Sequence, residues 1–379
     1  MLKRKIKIGC IGLNDPKDRR AVSGISFMTC RAFENMGAEI VWIPLKKTFV
    51  YKIKKFISKI VSAITCHKNF YDHSESASKE LTKTLDHKLL DSVDMFLCIN
   101  NSSIVATTKL SKPVIYRTDT TFNLMVDYYW HRLSKKDIRL GNHTEQLILD
   151  RAGIVLYPSE WAKASAIEDY KQNPDKLFVV ESGANIDSKN IKPRVRKYDG
   201  GALNLLFLGI DWKRKGGRYA IEACEYLHNQ GIDVKLNIVG IKHLDNKIKS
   251  LPFVEFYGYL NKNNPEQYKK LTEIIDSSHA LLLPTIAECA GIVFCESSAY
   301  GLPSFTFDTG GVGNYVVNGV NGYKLEMGSS GEDFGRKIMD CIGSGELEKL
   351  SQGGLNLYKQ KLNWEVWQEK VEKIINNIL

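Results

Sequence analysis

The sequence predicts an α/β protein built from two doubly wound domains. Short apolar runs suited to buried parallel strands alternate with segments of helical periodicity. The order strand, glycine-containing loop, helix opens the chain at residues 5–36 and opens it again from residue 203. A length of 379 residues exceeds one ordinary core and fits two domains. The expected divisions are a first domain over 1–190, a linker over 191–201, a second domain over 202–361 and a terminal helix over 362–379.

In the first domain, residues 5–13 alternate like a strand and a loop runs from Asn14 to Ser23. Ile25, Met28, Ala32, Phe33 and Met36 then recur at the spacing of a one-faced helix, and Glu39–Ile43 reads as the next strand. The loop ends on a single glycine, Gly24, where the dinucleotide fingerprint needs three. Strands recur at Met95–Ile99 and Val114–Tyr116. Ligands of such sheets gather beyond the carboxyl ends of strands, which makes Asp119 a candidate site acid. The same stretch, Asp or Thr ahead of Phe122, would equally well cap a helix. Tyr128 to His131 is expected on a helix, its aromatics either core or stacking platforms. Gly153–Trp161 reads as a strand followed by a helix capped by Ser159.

Residues 49–64 place Phe49, Ile53, Phe56, Ile57, Ile60 and Ile64 on one helical face, with Lys52, Lys54, Lys55 and Lys59 around the rest and no acid among them. Two readings follow. The apolar face can pack on the sheet and leave a solvated basic rim, the reading preferred on spacing. Alternatively it can lie in a membrane interface with its lysines on lipid phosphates.

The second domain opens with a strand at Leu203–Leu208 and a loop, Gly209-Ile210-Asp211-Trp212-Lys213-Arg214-Lys215-Gly216-Gly217. Cations and glycines between a strand end and a helix start suit a diphosphate, because the cations neutralise it while backbone N–H groups approach closely. Further strands are expected at Val234–Val239 and Val254–Tyr257. An apolar run at Ala280–Leu283 leads into PTIAECAGIVFCESSAYGLP, residues 284–303. Here Glu288 falls on a loop and Glu296 on the helix that follows, with seven residues between them. The N–H groups at Ala290, Gly291 and Ile292 form an anion site at the helix start. Thr309-Gly310-Gly311 reads as a second backbone nest leading into a helix.

The Glu–seven–Glu spacing, Gly291 and the trailing Gly301-Leu302-Pro303 resemble the signature of glycosyltransferase family 4, retaining enzymes of the GT-B fold. That resemblance implies two Rossmann-like domains facing across a cleft, with the terminal helix crossing back to the first. It implies a nucleotide-diphosphate-sugar donor, UDP-linked by family frequency, held mainly by the second domain. A glycan or lipid-linked acceptor of bacterial surface polysaccharide synthesis would meet the basic first domain. Glu288 would bind sugar hydroxyls, Glu296 the ribose, and Arg214 with Lys215 the diphosphate. Gly24 and Gly209 would approach the donor, and Gly258 would border the nucleobase. The chain departs from the family at Ser23-Gly24, Asp119, Ile210 and Gly313-Asn314, where a double glycine, histidine, arginine and Pro-Glu are more usual. No Asp-x-Asp tripeptide occurs, so no metal and no cofactor is needed to explain the site.

Composition narrows the rest. Residues 1–196 carry 33 Lys/Arg against 21 Asp/Glu, a net of +12, and residues 197–379 carry 20 against 22, a net of −2. The front half therefore suits an anionic partner. Its lysines flank apolar residues rather than stacked aromatics, so nucleic acid is not expected. Eight cysteines stand without zinc-ligand or paired spacing and read as reduced core thiols of a cytoplasmic protein, peripheral at the inner face of the membrane if residues 49–64 touch it. The basic start runs into a strand and lacks a signal-peptide layout, and no apolar run reaches the roughly 18 residues that span a bilayer. A non-catalytic GT-B partner subunit, a protein-modifying transferase, a sugar phosphorylase and an epimerase stay open as alternatives.

Overall fold

The computed structural model describes residues 2, 5–18, 24–100 and 106–378. Ser23 and residues 19–22 of the first loop lie outside the described residues, as do Leu379 and the side chain of Ile378. The chain divides into one unit of Met1–Val180 with Gln368–Leu379 and a second of Glu181–Trp367.

The first unit holds strands β1 (Lys7–Gly12), β2 (Glu39–Pro44), β3 (Met95–Ile99), β4 (Val114–Arg117), β5 (Ile154–Tyr157) and β6 (Leu177–Val179). They form one parallel sheet in the order β2-β1-β3-β4-β5-β6. The interior strands β3, β4 and β5 are buried along their length, as runs without alternation require when both faces are covered. Gly24, in the left-handed region at φ 84°, starts helix α1 (Ile25–Asn35), whose Ile25, Cys30, Ala32 and Phe33 turn inward.

Helix α2 (Phe49–Thr65) departs from the packing preferred on spacing. Among its residues only Tyr51 is buried. Phe49 and Ile64 are each 77% exposed and Phe56 is 64% exposed, so the apolar face does not lie on the sheet. What ties α2 down is polar. Tyr51 donates to Asp72 (2.5 Å), Lys55 pairs with Asp72 (2.5 Å), and Lys54 pairs with Glu80 of helix α3 (Glu75–Thr82) at 3.1 Å.

A second correction concerns Tyr128 to His131. Val126 and Trp130 bridge across a tight turn there, and no helix forms. Trp130 packs against Phe70 and Phe122, and Tyr128 against Trp161, so these half-buried aromatics pack along the flank of the unit.

The second unit holds β7 (Leu203–Leu208), β8 (Val234–Val239), β9 (Val254–Gly258), β10 (Ala280–Leu282), β11 (Ser304–Phe307) and β12 (Gly322–Leu325). The parallel order is β12-β11-β10-β7-β8-β9. The chain thus winds one way from β7 to β9, then returns to β7's other side at β10. In such a sheet the reversal leaves a crevice beyond the carboxyl ends of the two central strands. The helices that matter at this edge are α4 (Gly217–Asn229) and α5 (Ile292–Ala299), which follow β7 and β10. The last helix runs Trp364–Ile378, with Trp364, Trp367, Val371 and Ile375 buried.

Candidate active site

Three glycines line the strand ends beside the reversal. Gly209 N donates to Val239 O (3.0 Å), and Gly240 N donates to Gly258 O (2.8 Å). A Cβ on Gly240, at φ 98°, would stand 2.4 Å from Gly209 O, so the backbones meet with no room for a side chain. Gly258 is also left-handed, at φ 69°.

The basic loop is shaped by its own polar groups. Asp211 Oδ1 accepts from Arg214 N (3.1 Å), and Asp211 O accepts from Lys215 N (3.0 Å). Gly216, at φ 75°, then passes so near the following loop that a Cβ would lie 1.8 Å from Pro284 O. Ile286 N donates to Arg214 O (2.9 Å). The loops after β7 and β10 are therefore joined backbone to backbone.

That stitching delivers the charged side chains to one point. Lys215 Nζ donates to Glu288 Oε2, and Arg214 Nη1 stands 3.5 Å from the same oxygen while donating to Ala287 O (2.8 Å). Lys215 and Glu288 are each only 8% exposed. Two cations share this one buried carboxylate, and the exposed Asp211 stands 3.9 Å from Arg214 on the outer side. The cluster sits beside the amino end of α5, whose first turn begins at Gly291 with no side-chain cap. Gly291 is at φ 91°, and a Cβ there would meet the Phe294 ring at 2.4 Å and Glu288 Cγ at 3.3 Å. The N–H groups of Ala290, Gly291 and Ile292 belong to the uncapped start, where a helix dipole favours anions.

Glu296, buried on α5, takes a different cation. Lys262 Nζ donates to its Oε1 (2.6 Å) and to Asn185 O (3.2 Å). Lys262 escaped the sequence reading; its only signal was a polar turn, Asn261-Lys262-Asn263-Asn264, just past β9. A second group also escaped it. Buried Glu181 accepts from Asn314 Nδ2 (3.0 Å) and pairs with Lys361 (3.1 Å). The Thr309-Gly-Gly segment forms a 3-10 turn over Gly310–Asn314, and Gly311 N donates to Glu288 O (3.0 Å). It braces the Glu288 loop.

Asp119 and Gly24 belong to the first unit and the other candidates to the second. Asp119 does not cap a helix. The short helix Phe122–Met125 starts from Thr121, and Asp119 instead exchanges two hydrogen bonds of 3.1 Å with Asn100 and faces Arg117 at 3.6 Å.

The family model described as glycosyl transferases group 1 matches residues 188–354. An uncharacterised glycosyltransferase of Methanocaldococcus jannaschii is 24% identical over 225 residues, 59% of each chain. The capsular polysaccharide biosynthesis glycosyltransferase CapM of Staphylococcus aureus is 22% identical over 249 residues, 62% of this chain and 64% of CapM. Sucrose synthase 2 of Zea mays is 29% identical over 103 residues, 26% of this chain and 12% of that enzyme. The chain thus spans less than two thirds of the length of these relatives. Among solved structures, Anabaena HepE in complex with UDP and glucose superposes with a TM-score of 0.66 at 13% identity, covering 98% of this chain and 100% of HepE. WaaG, a glycosyltransferase involved in lipopolysaccharide biosynthesis, gives 0.61 at 16% identity, covering 98% and 99%. The fold is GT-B.

Proposed function

Residues 188–354 form a domain of the group 1 glycosyl transferases, and from that premise we propose that the chain moves a sugar from a nucleoside-diphosphate sugar to a glycan or lipid-linked acceptor in polysaccharide synthesis, with retention of anomeric configuration as in family 4. The observation that carries this reading is the Arg214–Lys215–Glu288 cluster, with Lys215 and Glu288 buried, at the uncapped start of α5. A diphosphate there would meet two cations and a helix amino end, and charge developing on it as it departs would be stabilised by groups already in place. Glu288 would orient sugar hydroxyls, and Glu296, released from Lys262, would take the ribose. The acceptor oxygen bonds to the anomeric carbon as the bond to the phosphate oxygen breaks, and the acceptor proton passes to the leaving phosphate on the same face. The diphosphate needs no proton from a protein acid to leave, so neither glutamate acts as an acid in the manner of a glycosidase pair. Arg214 and Lys215 supply the countercharge that a metal would otherwise supply. UDP is the first donor nucleotide to try, because HepE was crystallised with it.

Screening nucleoside diphosphates by thermal shift, then assaying transfer from the matching sugar, tests the reading. Transfer persisting at close to the wild-type rate in an Arg214→Ala, Lys215→Ala double variant would refute it. One observation favours a non-catalytic partner subunit: Ile210, 69% exposed, puts an apolar side chain in the basic loop. Donor hydrolysis by the isolated chain would exclude that alternative.

A further inference from the structure

Helix α2 is attached to its domain the wrong way round for a soluble protein. At about 100° per residue, Phe49, Val50, Ile53, Phe56, Ile57, Ile60, Val61 and Ile64 fill one continuous arc, and all eight are at least 43% exposed. The opposite arc, which faces the protein, is polar. Tyr51 and Lys55 bind Asp72, Lys54 binds Glu80, and Ser58 Oγ accepts from Asn69 Nδ2 (2.9 Å). Isolated exposed apolar residues are ordinary, but a contiguous stripe over four turns is a binding surface. Thr48 Oγ1, accepting from Tyr51 N (3.0 Å), caps the helix and holds the stripe in register.

We propose that this stripe is the surface through which the chain lies on an anionic phospholipid bilayer. The rim identifies the occupant. Lys52 and Lys59 are exposed along one border of the arc, and Lys46 and Lys47 are exposed just ahead of the helix. No acidic residue occurs between Lys46 and Lys68. A helix with an apolar face and an unopposed basic border sits at the level of lipid headgroups, its hydrocarbon below and its ammonium groups on phosphates. A second copy fits less well, because stripe against stripe would bring two basic rims together with no carboxylate on either helix to pair them. The helix is 17 residues long and is not apolar enough to cross a membrane, so docking leaves the chain on the surface. This docking does not depend on the chemistry of the second unit.

The test is flotation of the full chain with phosphatidylcholine vesicles and with phosphatidylcholine–phosphatidylglycerol vesicles, with light scattering on the same samples. The wild type is expected to float with the anionic vesicles and to be released by high salt. A Phe49→Ser, Phe56→Ser, Ile64→Ser variant and a Lys52→Glu, Lys59→Glu variant are each expected to bind about tenfold or more weakly, with melting temperature unchanged because those side chains are in water. Equal binding of all three proteins, or equal binding to neutral and anionic vesicles, overturns the proposal. So does a stable dimer that the serine variant converts to monomer while no form binds vesicles; the stripe would then be a contact between copies.

Discussion

At the scale of single residues, the second unit concentrates its chemistry on the loops after β7 and β10. Arg214 is partly exposed, and its side chain donates to Ala287 O and pairs with Glu288 and Asp211 at the loop's edge. Arg214→Ala is therefore expected to leave the fold intact and lower kcat/KM by about 100-fold or more, the loss typical when one donor to a developing anion is removed. Lys215 differs because it is buried against Glu288. Lys215→Ala leaves a buried carboxylate with the longer Arg214 contact alone and is expected to cost about 3 kcal/mol in denaturant unfolding as well as activity. Gly216→Ala puts a Cβ into Pro284 O at a positive φ; a loss of about 2 kcal/mol or more is expected, with donor binding lost because the two loops part. His279 carries a pH dependence. Burial, reinforced by Arg196, lowers its pKa from the ordinary value, and its Nδ1 accepts from Asn204 N (2.9 Å), which requires the neutral ring. A depressed histidine contributes stability above its unfolded value, about 6.5, and that contribution is lost as pH falls below it. The melting temperature of the second unit should drop between pH 7 and pH 5, and His279→Gln should flatten that drop.

At the scale of elements, two kinds of information separate. Period and punctuation were readable: the helix after Gly24, the strand at Leu203–Leu208 and the start of α5 at Gly291 follow from spacing, glycine and apolar runs. Orientation was not. The period of α2 marks an apolar stripe but says nothing of which way it turns, and the answer came from Asp72 and Glu80, which sit on a neighbouring turn and helix. Tyr51→Phe should therefore loosen α2 by about 1 kcal/mol, the worth of one hydrogen bond, visible as faster amide exchange across 49–65. The turn at Tyr128–His131 failed for a related reason. Three consecutive aromatics fit a packed turn as well as a helix, and Phe70, distant in sequence, decided the matter.

At the scale of the whole chain, two parallel sheets each carry their own core. A bound nucleotide stabilises the folded unit that holds it by mass action. UDP at about 100 times its dissociation constant should add about 2.7 kcal/mol to the unfolding of residues 181–367. Calorimetry of the wild type and of Arg214→Ala would show the shift in one and its loss in the other. The α/β class, the glycine turns, the Arg-Lys pair and the two glutamates could all be found in the sequence, because short-range periodicity and local backbone demands write themselves into neighbouring residues. Which lysine meets which glutamate, and that α2 turns its apolar side to water, were decided only by the fold. Those pairings join residues 17 to 73 positions apart, and no local pattern encodes a partner that the chain reaches only by winding a sheet and returning.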